Sequence, residues 1–159
     1  MMVTGFYKDL AQAQGAEVLV LEELSKRTND YKFEHVGTNR DYFYKGDIKV
    51  VANSGEQIFV EVKNDSVIAK TGNILCEEEV YYKETDWYGK GNMQSDYDIY
   101  AIVSEAERRI YLLDFKILKA SYRAGEYKVI EHPSQITYCY LLPLGVAKKV
   151  GAVITTLNY

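Results

Sequence analysis

A predicted β-hairpin constrains the fold of this chain more than any other feature. Two β-rich runs, residues 47–52 and 57–63, flank Asn53-Ser54-Gly55, whose residues favour a tight turn. Two runs joined by so short a connection are expected to pair as antiparallel strands. Because side chains alternate along a strand, Glu61 and Lys63 are predicted to lie on one face of the second run, where Asp47 approaches from the first.

An amphipathic helix is predicted before the hairpin, from Met2 to Arg27. The segment contains no proline, and it carries residues at positions i, i+3, i+4 and i+7 that share one face, namely Glu17, Val20, Leu21 and Leu24. Thr28-Asn29-Asp30 then ends the pattern. Glu17 is the acidic member of the face that the helix is expected to turn inward.

Most of the remaining chain is predicted to be β-structure. Residues 116–123 favour a short helix, 134–142 fit either a helix or a strand, and Gly89-Lys90-Gly91 favours a turn. One helix followed mainly by strands is typical of an α+β fold in which the helix packs on a mixed sheet. The length of 159 residues favours a single domain, residues 1–159. The predicted strands are 31–36, 47–52, 57–63, 73–82, 98–103, 109–115, 127–130 and 150–157.

Composition favours a cytoplasmic protein without a membrane span. Apolar runs such as 141–147 are too short for a transmembrane helix, and residues 1–10 lack an apolar core of signal-peptide length. Cys76 and Cys139 lie in apolar runs, so we expect buried free thiols and a reducing compartment. The two histidines, His35 and His132, do not form a zinc site with these cysteines, and structural roles are assigned to both.

The charge distribution leaves two interpretations open. The net charge of −4 does not favour nucleic-acid binding. Basic residues nevertheless concentrate between residues 108 and 149, whereas residues 77–98 are acidic. This pattern fits either one basic face or a mixed, solvated surface.

The hairpin carries the groups that metal-dependent phosphodiester hydrolysis requires. Two or three carboxylates can hold Mg²⁺ while leaving positions open for water and phosphate, and a nearby ammonium group can orient the attacking water. Asp47 on one strand and Glu61 and Lys63 on its partner meet this requirement. The intervening Val62 is apolar, as expected for a side chain on the opposite face.

These residues support a family resemblance. Gly46-Asp47-Ile48 followed by Glu61-Val62-Lys63 resembles the motif of the PD-(D/E)XK nuclease superfamily, which includes restriction endonucleases and Holliday-junction resolvases. Gly15-Ala16-Glu17 matches the Gly-x-Glu setting of the upstream helical glutamate that members often carry. The resemblance implies an α/β/α-like, restriction-endonuclease-like fold and an endo- or exodeoxyribonuclease. Asp47, Glu61 and Glu17 would bind Mg²⁺ or Mn²⁺, and Lys63 would assist the attack of water on DNA.

A second likeness is to a phage and prophage-encoded branch of these nucleases. It involves the segments Thr71 to Glu77 and Ser95-Asp96-Tyr97. It implies the cytoplasm of a bacterial or phage-infected cell, and the dimers common among resolvases imply a homodimer. The chain departs from the family pattern in two ways. It has Gly46 where proline is usual, and it lacks a Gln-rich helix after the Glu-x-Lys strand. Glu77 is either a substitute for the glutamine of that helix or a surface residue.

The motif is not specific as a string, since five acid-x-Lys triplets occur in the chain. The strongest rival site is Asp98 with Asp114-Phe115-Lys116, on two strands that are predicted to pair, where Asp114 and Lys116 would share a face. Two other functions also stay open. One is a non-catalytic nuclease-like module that binds nucleic acid or protein, and the other is a phage structural or assembly protein.

Overall fold

The computed structural model describes the backbone of residues 2–42 and 45–159, and the side chains of residues 15–39, 41, 42 and 45–159. Within these residues, ten strands form two sheets and four α-helices accompany them. The α+β class predicted from the sequence is therefore confirmed. The elements are α1 (Met2–Arg27), β1 (Tyr31–His35), β2 (Ile48–Ala52), β3 (Gln57–Asn64), α2 (Val67–Thr71), β4 (Asn73–Tyr82), β5 (Trp87–Lys90), β6 (Ile99–Ser104), β7 (Arg109–Asp114), α3 (Phe115–Ser121), β8 (Glu126–Glu131), β9 (Gln135–Pro143), α4 (Leu144–Lys149) and β10 (Val153–Asn158).

The larger sheet is mixed and has six strands in the order β1-β2-β3-β6-β7-β10. Strands β1, β2 and β3 form an antiparallel meander, and β3 then pairs in parallel with β6. The chain between β3 and β6 leaves this sheet and forms α2, β4 and β5. The predicted hairpin is thus formed by the last two strands of a three-stranded meander, and β3 lies inside the sheet.

Alternation along β6 separates the two hydrophobic cores. Ala101 and Val103 are fully buried on the face that α1 covers, where Val20 of the helix packs against the sheet. Tyr100 and Ile102 are buried on the opposite face, against the smaller sheet. Because successive side chains of a strand point to opposite faces, one apolar strand contributes to both cores.

A second sheet covers the face of the larger sheet that lies away from α1. This antiparallel sheet has the order β5-β4-β9-β8, and its central strands bury Ile74, Cys76 and Leu142. The short helices α3 and α4 contribute Leu118 and Ala147 to the same core. The sequence predicted one mixed sheet, whereas the structure divides the strands between two packed layers.

Several local predictions are confirmed and others are wrong. The α1 and β4 boundaries agree with the prediction, and residues 134–142 adopt the strand alternative, as β9. The predicted turn at 89–91 is wrong, because Gly89 and Lys90 belong to β5. Helices α2 and α4 were not predicted, since each has six residues or fewer and shows no full helical period.

Two further observations concern the cysteines and the helices. Cys76 and Cys139 are buried and free, as predicted. No helix in the described part of the chain is both long enough and apolar enough to cross a membrane.

Gly46 occupies a position that other residues would not tolerate. Its φ is +140°, and a Cβ built on it would lie 2.9 Å from the carbonyl oxygen of Val60. Gly55, in the turn between β2 and β3, has a φ of +89° but open space around the Cβ position. Close approach of two backbones therefore explains why glycine precedes Asp47, at the position where the family motif usually has proline.

We predict that Gly46→Ala destabilises the protein more than Gly55→Ala does. Both substitutions strain the backbone, at a cost of about 1–3 kcal/mol each. Only the first also forces β2 and β3 apart. Urea unfolding of both variants measures the difference, and equal losses of unfolding free energy would contradict the close-approach explanation.

Candidate functional site

Backbone hydrogen bonds on two sides fix the position of Asp47. Its N–H donates to the carbonyl of Val60 in β3 at 2.8 Å, and its carbonyl accepts from the N–H of Val36 at 2.8 Å. One carboxylate oxygen, Oδ2, accepts from the N–H of Val62 at 2.8 Å. The side chain is therefore directed into the region where the end of β1 and strand β3 meet.

The helix α1 brings Glu17 to this carboxylate. Glu17 is 9% exposed, and its carboxyl group makes a hydrogen bond with that of Asp47. The imidazole Nε2 of His35, the last residue of β1, lies 3.5 Å from Glu17 Oε1. A Cβ built on Gly37 would lie 2.5 Å from Glu17 Oε1, 3.2 Å from Asp47 Oδ1 and 3.3 Å from His35 Nε2. Three polar atoms from three segments thus border the space beside Gly37.

Strand β3 brings Glu61 to the other side of Asp47. The two carboxyl groups make a hydrogen bond, and the hydroxyl of Tyr97 interacts with Glu61 as well. Lys63 is two residues further along β3 and shares the face of Glu61, and its positive charge favours the ionised forms of Glu61 and Asp47. Asp47 is therefore the central member of a chain of three carboxyl groups.

The three carboxyl groups do not ionise alike. Burial raises the pKa of Glu17 to about 8, and the hydrogen bond and negative charge of Asp47 act in the same direction. Burial and then Asp47 likewise raise the pKa of Glu61 to about 8, against the opposing effects of Tyr97 and Lys63. Burial also acts on Asp47, but hydrogen bonds from Glu61, Glu17 and the backbone outweigh it, so the pKa of Asp47 lies below its usual value.

The cluster has three carboxyl groups and only one neighbouring positive charge, that of Lys63. Near neutral pH, Asp47 is ionised and protons on Glu17 and Glu61 hydrogen-bond to it, because three like charges placed close together repel strongly. A divalent cation neutralises such carboxylates and displaces their protons. The donor set, oxygen with one imidazole nitrogen nearby, suits such an ion.

The donors do not enclose an ion in their present positions. Among the described residues, no three His, Cys, Asp or Glu side chains are arranged so that they could hold a metal ion together. Glu17 and Glu61 each contact Asp47, on different sides of it. Metal binding at this site therefore requires a side-chain rotation, which the long glutamate side chains permit.

The two acids of the rival site, Asp98 and Asp114, accept hydrogen bonds from backbone N–H groups. Asp98 Oδ2 accepts from the N–H of Phe59 at 2.8 Å, which ties the segment before β6 to β3. Asp114 caps α3 by accepting from the N–H of Ile117 at 3.2 Å. Lys116 is an exposed residue of α3 and not a strand residue, so the prediction that it shares a strand face with Asp114 is wrong.

Two residues near the carboxyl groups were not assigned to the site from the sequence. His35 was given a structural role, and Tyr97 was named in a segment with a family likeness and among the tyrosines that suit strands and half-buried surfaces. Each residue reaches the three carboxyl groups only through tertiary structure. His35 depends on the pairing of β1 with β2, and Tyr97 depends on the pairing of β6 with β3. One signal could have identified His35 as a site residue. It ends β1, and β1 pairs with the strand that begins directly after Asp47.

Other residues support the site from its edge. The Lys119 ammonium donates to the carbonyl of Ser95 at 2.8 Å and lies 3.3 Å from Asp96, which holds the segment that carries Tyr97. Glu77 lines a small cavity beside Lys63 and Tyr100. Glu77 therefore lies next to Lys63, and its role in place of the Gln-rich helix stays a prediction.

The surface charges are mixed. Basic residues of the 108–149 stretch pair with acids of the 77–98 stretch, since Lys119 contacts Asp96 and Arg123 contacts Glu78. Arg109 and Lys128 pair with glutamates close to them in sequence, at 3.3 and 3.7 Å. These contacts favour the mixed, solvated surface over one basic face.

The chain matches no family model, no curated protein and no solved structure. An assignment of function to this site therefore depends on the geometry and chemistry of its residues. Those residues offer carboxylates that suit a divalent cation and an ammonium group that suits an anion, and the N–H of Val62 holds the Asp47 carboxylate in place.

We predict that the protein without divalent cations loses stability as the pH rises from about 5 to about 8. Glu17 and Glu61 have a pKa of about 8 in the folded state, above their ordinary value of 4.5. Between these values the folded state binds more protons than the unfolded state, so the free energy of unfolding falls with rising pH. Thermal unfolding in EDTA across this range measures the effect.

The double variant Glu17→Gln/Glu61→Gln is expected to flatten this dependence, because amides do not titrate. Glu56→Gln, in an exposed position of the turn region, serves as the control and should keep the wild-type dependence. A double variant that retains the full decline between pH 5 and 8 would assign the decline to other groups.

Proposed function

We propose that this protein is a metal-dependent deoxyribonuclease that hydrolyses phosphodiester bonds of DNA. The observation that carries the proposal is that the Asp47 carboxylate contacts both Glu17 and Glu61, with Lys63 on the same face of β3. The motif that resembles the PD-(D/E)XK superfamily provides further support, because it contains the same residues.

Asp47 and Glu61 would hold the cation, Mg²⁺ or Mn²⁺, with Glu17 as a third carboxylate. Such a cation supplies Lewis-acid stabilisation of the charge that develops on the phosphate. The backbone N–H of Val62 keeps the Asp47 carboxylate directed into the site. The hydroxyl of Tyr97 favours the ionised form of Glu61 and so lowers its pKa.

Lys63 contributes a positive charge that a fixed strand holds beside the carboxylates. The ammonium group can orient the attacking water and stabilise negative charge on the phosphate oxygens. It shares a face with Glu61 because the two residues are separated by one position in β3. The strand thus fixes the nucleophile-positioning group relative to the metal ligands.

We predict that Asp47→Ala abolishes Mg²⁺-dependent cleavage of DNA. Lys63→Ala is expected to lower the cleavage rate by about 10²–10³-fold, the usual cost of removing one group that stabilises transition-state charge. Cleavage of labelled duplex, single-stranded and branched DNA measures both effects and also identifies the preferred substrate.

Asp114→Ala is the matched control, because it removes the acid of the rival triplet. This substitution removes the cap of α3 and should cost about 0.5–2 kcal/mol of stability while cleavage persists. Full cleavage by Asp47→Ala, or its loss in folded Asp114→Ala, would mean that the site is assigned to the wrong residues.

A second candidate function is a non-catalytic module that keeps the nuclease-like arrangement and binds nucleic acid or protein. The observation that favours it is that, among the described residues, no three His, Cys, Asp or Glu side chains are arranged to hold a cation. Calorimetric titration with Mg²⁺ and Mn²⁺ distinguishes the two functions. The nuclease should bind the ions and lose binding in Glu61→Gln, whereas the module should bind neither.

A further inference from the structure

A groove lies between the smaller sheet and α3. Its volume is about 840 Å³, within the range of pockets that bind ligands. Three strands of the sheet each contribute a tyrosine to its lining, namely Tyr88 of β5, Tyr127 of β8 and Tyr138 of β9. Lys119 of α3 and Arg123, which follows that helix, belong to the lining on the helix side. We call this cavity the tyrosine groove.

Two of these tyrosines are exposed although they belong to strands. Tyr88 is 55% exposed and Tyr127 is 50% exposed. Neighbouring rings support both, since the ring centroid of Tyr81 lies 4.7 Å from that of Tyr88, and the centroid of Tyr140 lies 5.3 Å from that of Tyr127. An aromatic ring in such a position can stack on a flat group of a ligand, and every nucleobase offers a flat aromatic face.

The spacing of the two exposed rings favours an extended ligand. Tyr88 and Tyr127 stand on the two edge strands of the smaller sheet, whose order is β5-β4-β9-β8. Three inter-strand spacings of about 4.8 Å each place the two backbones about 14 Å or more apart. A single base therefore meets one of the rings, whereas a strand of several nucleotides can meet both.

The acidic groups of the tyrosine groove each have a cation next to them. Glu78 lines the groove and contacts Arg123. Glu79 also lines it, and this residue lies directly opposite Lys90 in the pairing of β4 with β5. Because these charges are nearly balanced, a ligand held by charge alone would gain little here. The exposed rings are the groups that a ligand would contact to most effect.

Two cations of the groove can still serve a phosphate. Lys119 contacts Asp96 at 3.3 Å, and both side chains are exposed. The Arg123 guanidinium is exposed too, and it carries more N–H donors than one carboxylate accepts. Ion pairs in exposed positions contribute little to stability, so a phosphate can take the place of a carboxylate at small cost.

The groove begins next to the candidate site. Gln94 belongs to its lining, and Tyr97 interacts with Glu61. Three residues of chain span at most about 11 Å, since each extends about 3.6 Å. Lys119 joins the two places, because it lines the groove and donates to the carbonyl of Ser95 at 2.8 Å. A nucleic-acid strand in the groove can therefore continue to the three carboxyl groups.

We propose that the tyrosine groove holds an unpaired strand of DNA by stacking bases on Tyr88 and Tyr127, and that the protein consequently prefers DNA with single-stranded segments to blunt duplex. This inference rests on the proposed function, of which it names the substrate class. Inside a duplex the faces of each base are covered by neighbouring base pairs. Only unpaired bases can therefore stack on these rings.

The test measures the binding of a labelled oligothymidylate by fluorescence anisotropy in EDTA, where cleavage does not occur. Tyr88→Ala and Tyr127→Ala should each weaken binding by about 5–150-fold, the usual effect of removing one stacking ring. Tyr88→Phe and Tyr127→Phe should keep the affinity, since the ring remains. Tyr31→Ala is the matched control and should change nothing, because Tyr31 is 48% exposed but lies in β1 of the larger sheet.

Salt dependence and a duplex probe separate stacking from charge. With two phosphate contacts, the logarithm of the affinity should fall against the logarithm of the salt concentration with a slope of about −1.4. A blunt duplex of the same length should bind more weakly than the single strand and lose nothing in Tyr88→Ala. Equal affinity of the wild type and both alanine variants for the oligothymidylate, or tighter binding of the duplex, would overturn the proposal. Binding of a proline-rich peptide in place of the oligonucleotide would also overturn it, and would assign the groove to a protein partner.

Failure of this inference can be told apart from failure of the proposed function. If Asp47→Ala loses Mg²⁺-dependent cleavage, but the alanine variants at Tyr88 and Tyr127 bind and cut single strands as the wild type does, only the groove is wrongly assigned. If the oligothymidylate binds through both tyrosines, but the wild type cleaves no DNA with Mg²⁺ or Mn²⁺, the groove is correctly assigned and the proposed function is wrong.

Discussion

The half-buried carboxylate of Asp47 is the group on which the arrangement of the site depends. It accepts a hydrogen bond from Val62 N–H at 2.8 Å, and its own backbone is bonded on both sides. A buried negative charge is tolerated only with hydrogen-bond partners or a positive charge. The carboxyl groups of Glu17 and Glu61 supply the first, and Lys63 supplies part of the second. The helix α1 and the strand β3 are thus joined at one ionised group.

The packing of the smaller sheet on the larger one helps to position the residues around Asp47. Tyr100 and Ile102 of β6 pack against the smaller sheet, while Tyr97, just before β6, reaches Glu61. Lys119 of α3 holds the segment that carries Tyr97, through the carbonyl of Ser95. The second sheet and α3 therefore stabilise the position of Tyr97 next to Glu61.

The local elements of the site could be predicted from the sequence, and their long-range neighbours could not. Alternation along β3 correctly placed Glu61 and Lys63 on one face, and the apolar stripe of α1 correctly turned Glu17 inward. These patterns follow from the periods of a strand and a helix. Tyr97 and His35 reach the site only because distant strands pair, and no short pattern records such a pairing. The second sheet was missed for the same reason, since strand segments do not reveal which sheet they join.

Burial explains why one acid-x-Lys triplet of the five differs from the others. In Asp47-Ile48-Lys49, the lysine points away from the site and contacts Glu34 at 3.4 Å and the Tyr42 hydroxyl at 3.2 Å. The triplet that begins at Asp30 starts at the exposed end of β1, and the one that begins at Glu126 lies along the exposed strand β8. The Glu61-Val62-Lys63 triplet lies within β3, an interior strand of the larger sheet whose Val60 and Val62 pack in the core that α1 covers. A carboxylate in that position is shielded from water, so its pKa rises unless a cation is bound beside it. The same acid-x-Lys pattern on an exposed strand does not have this property.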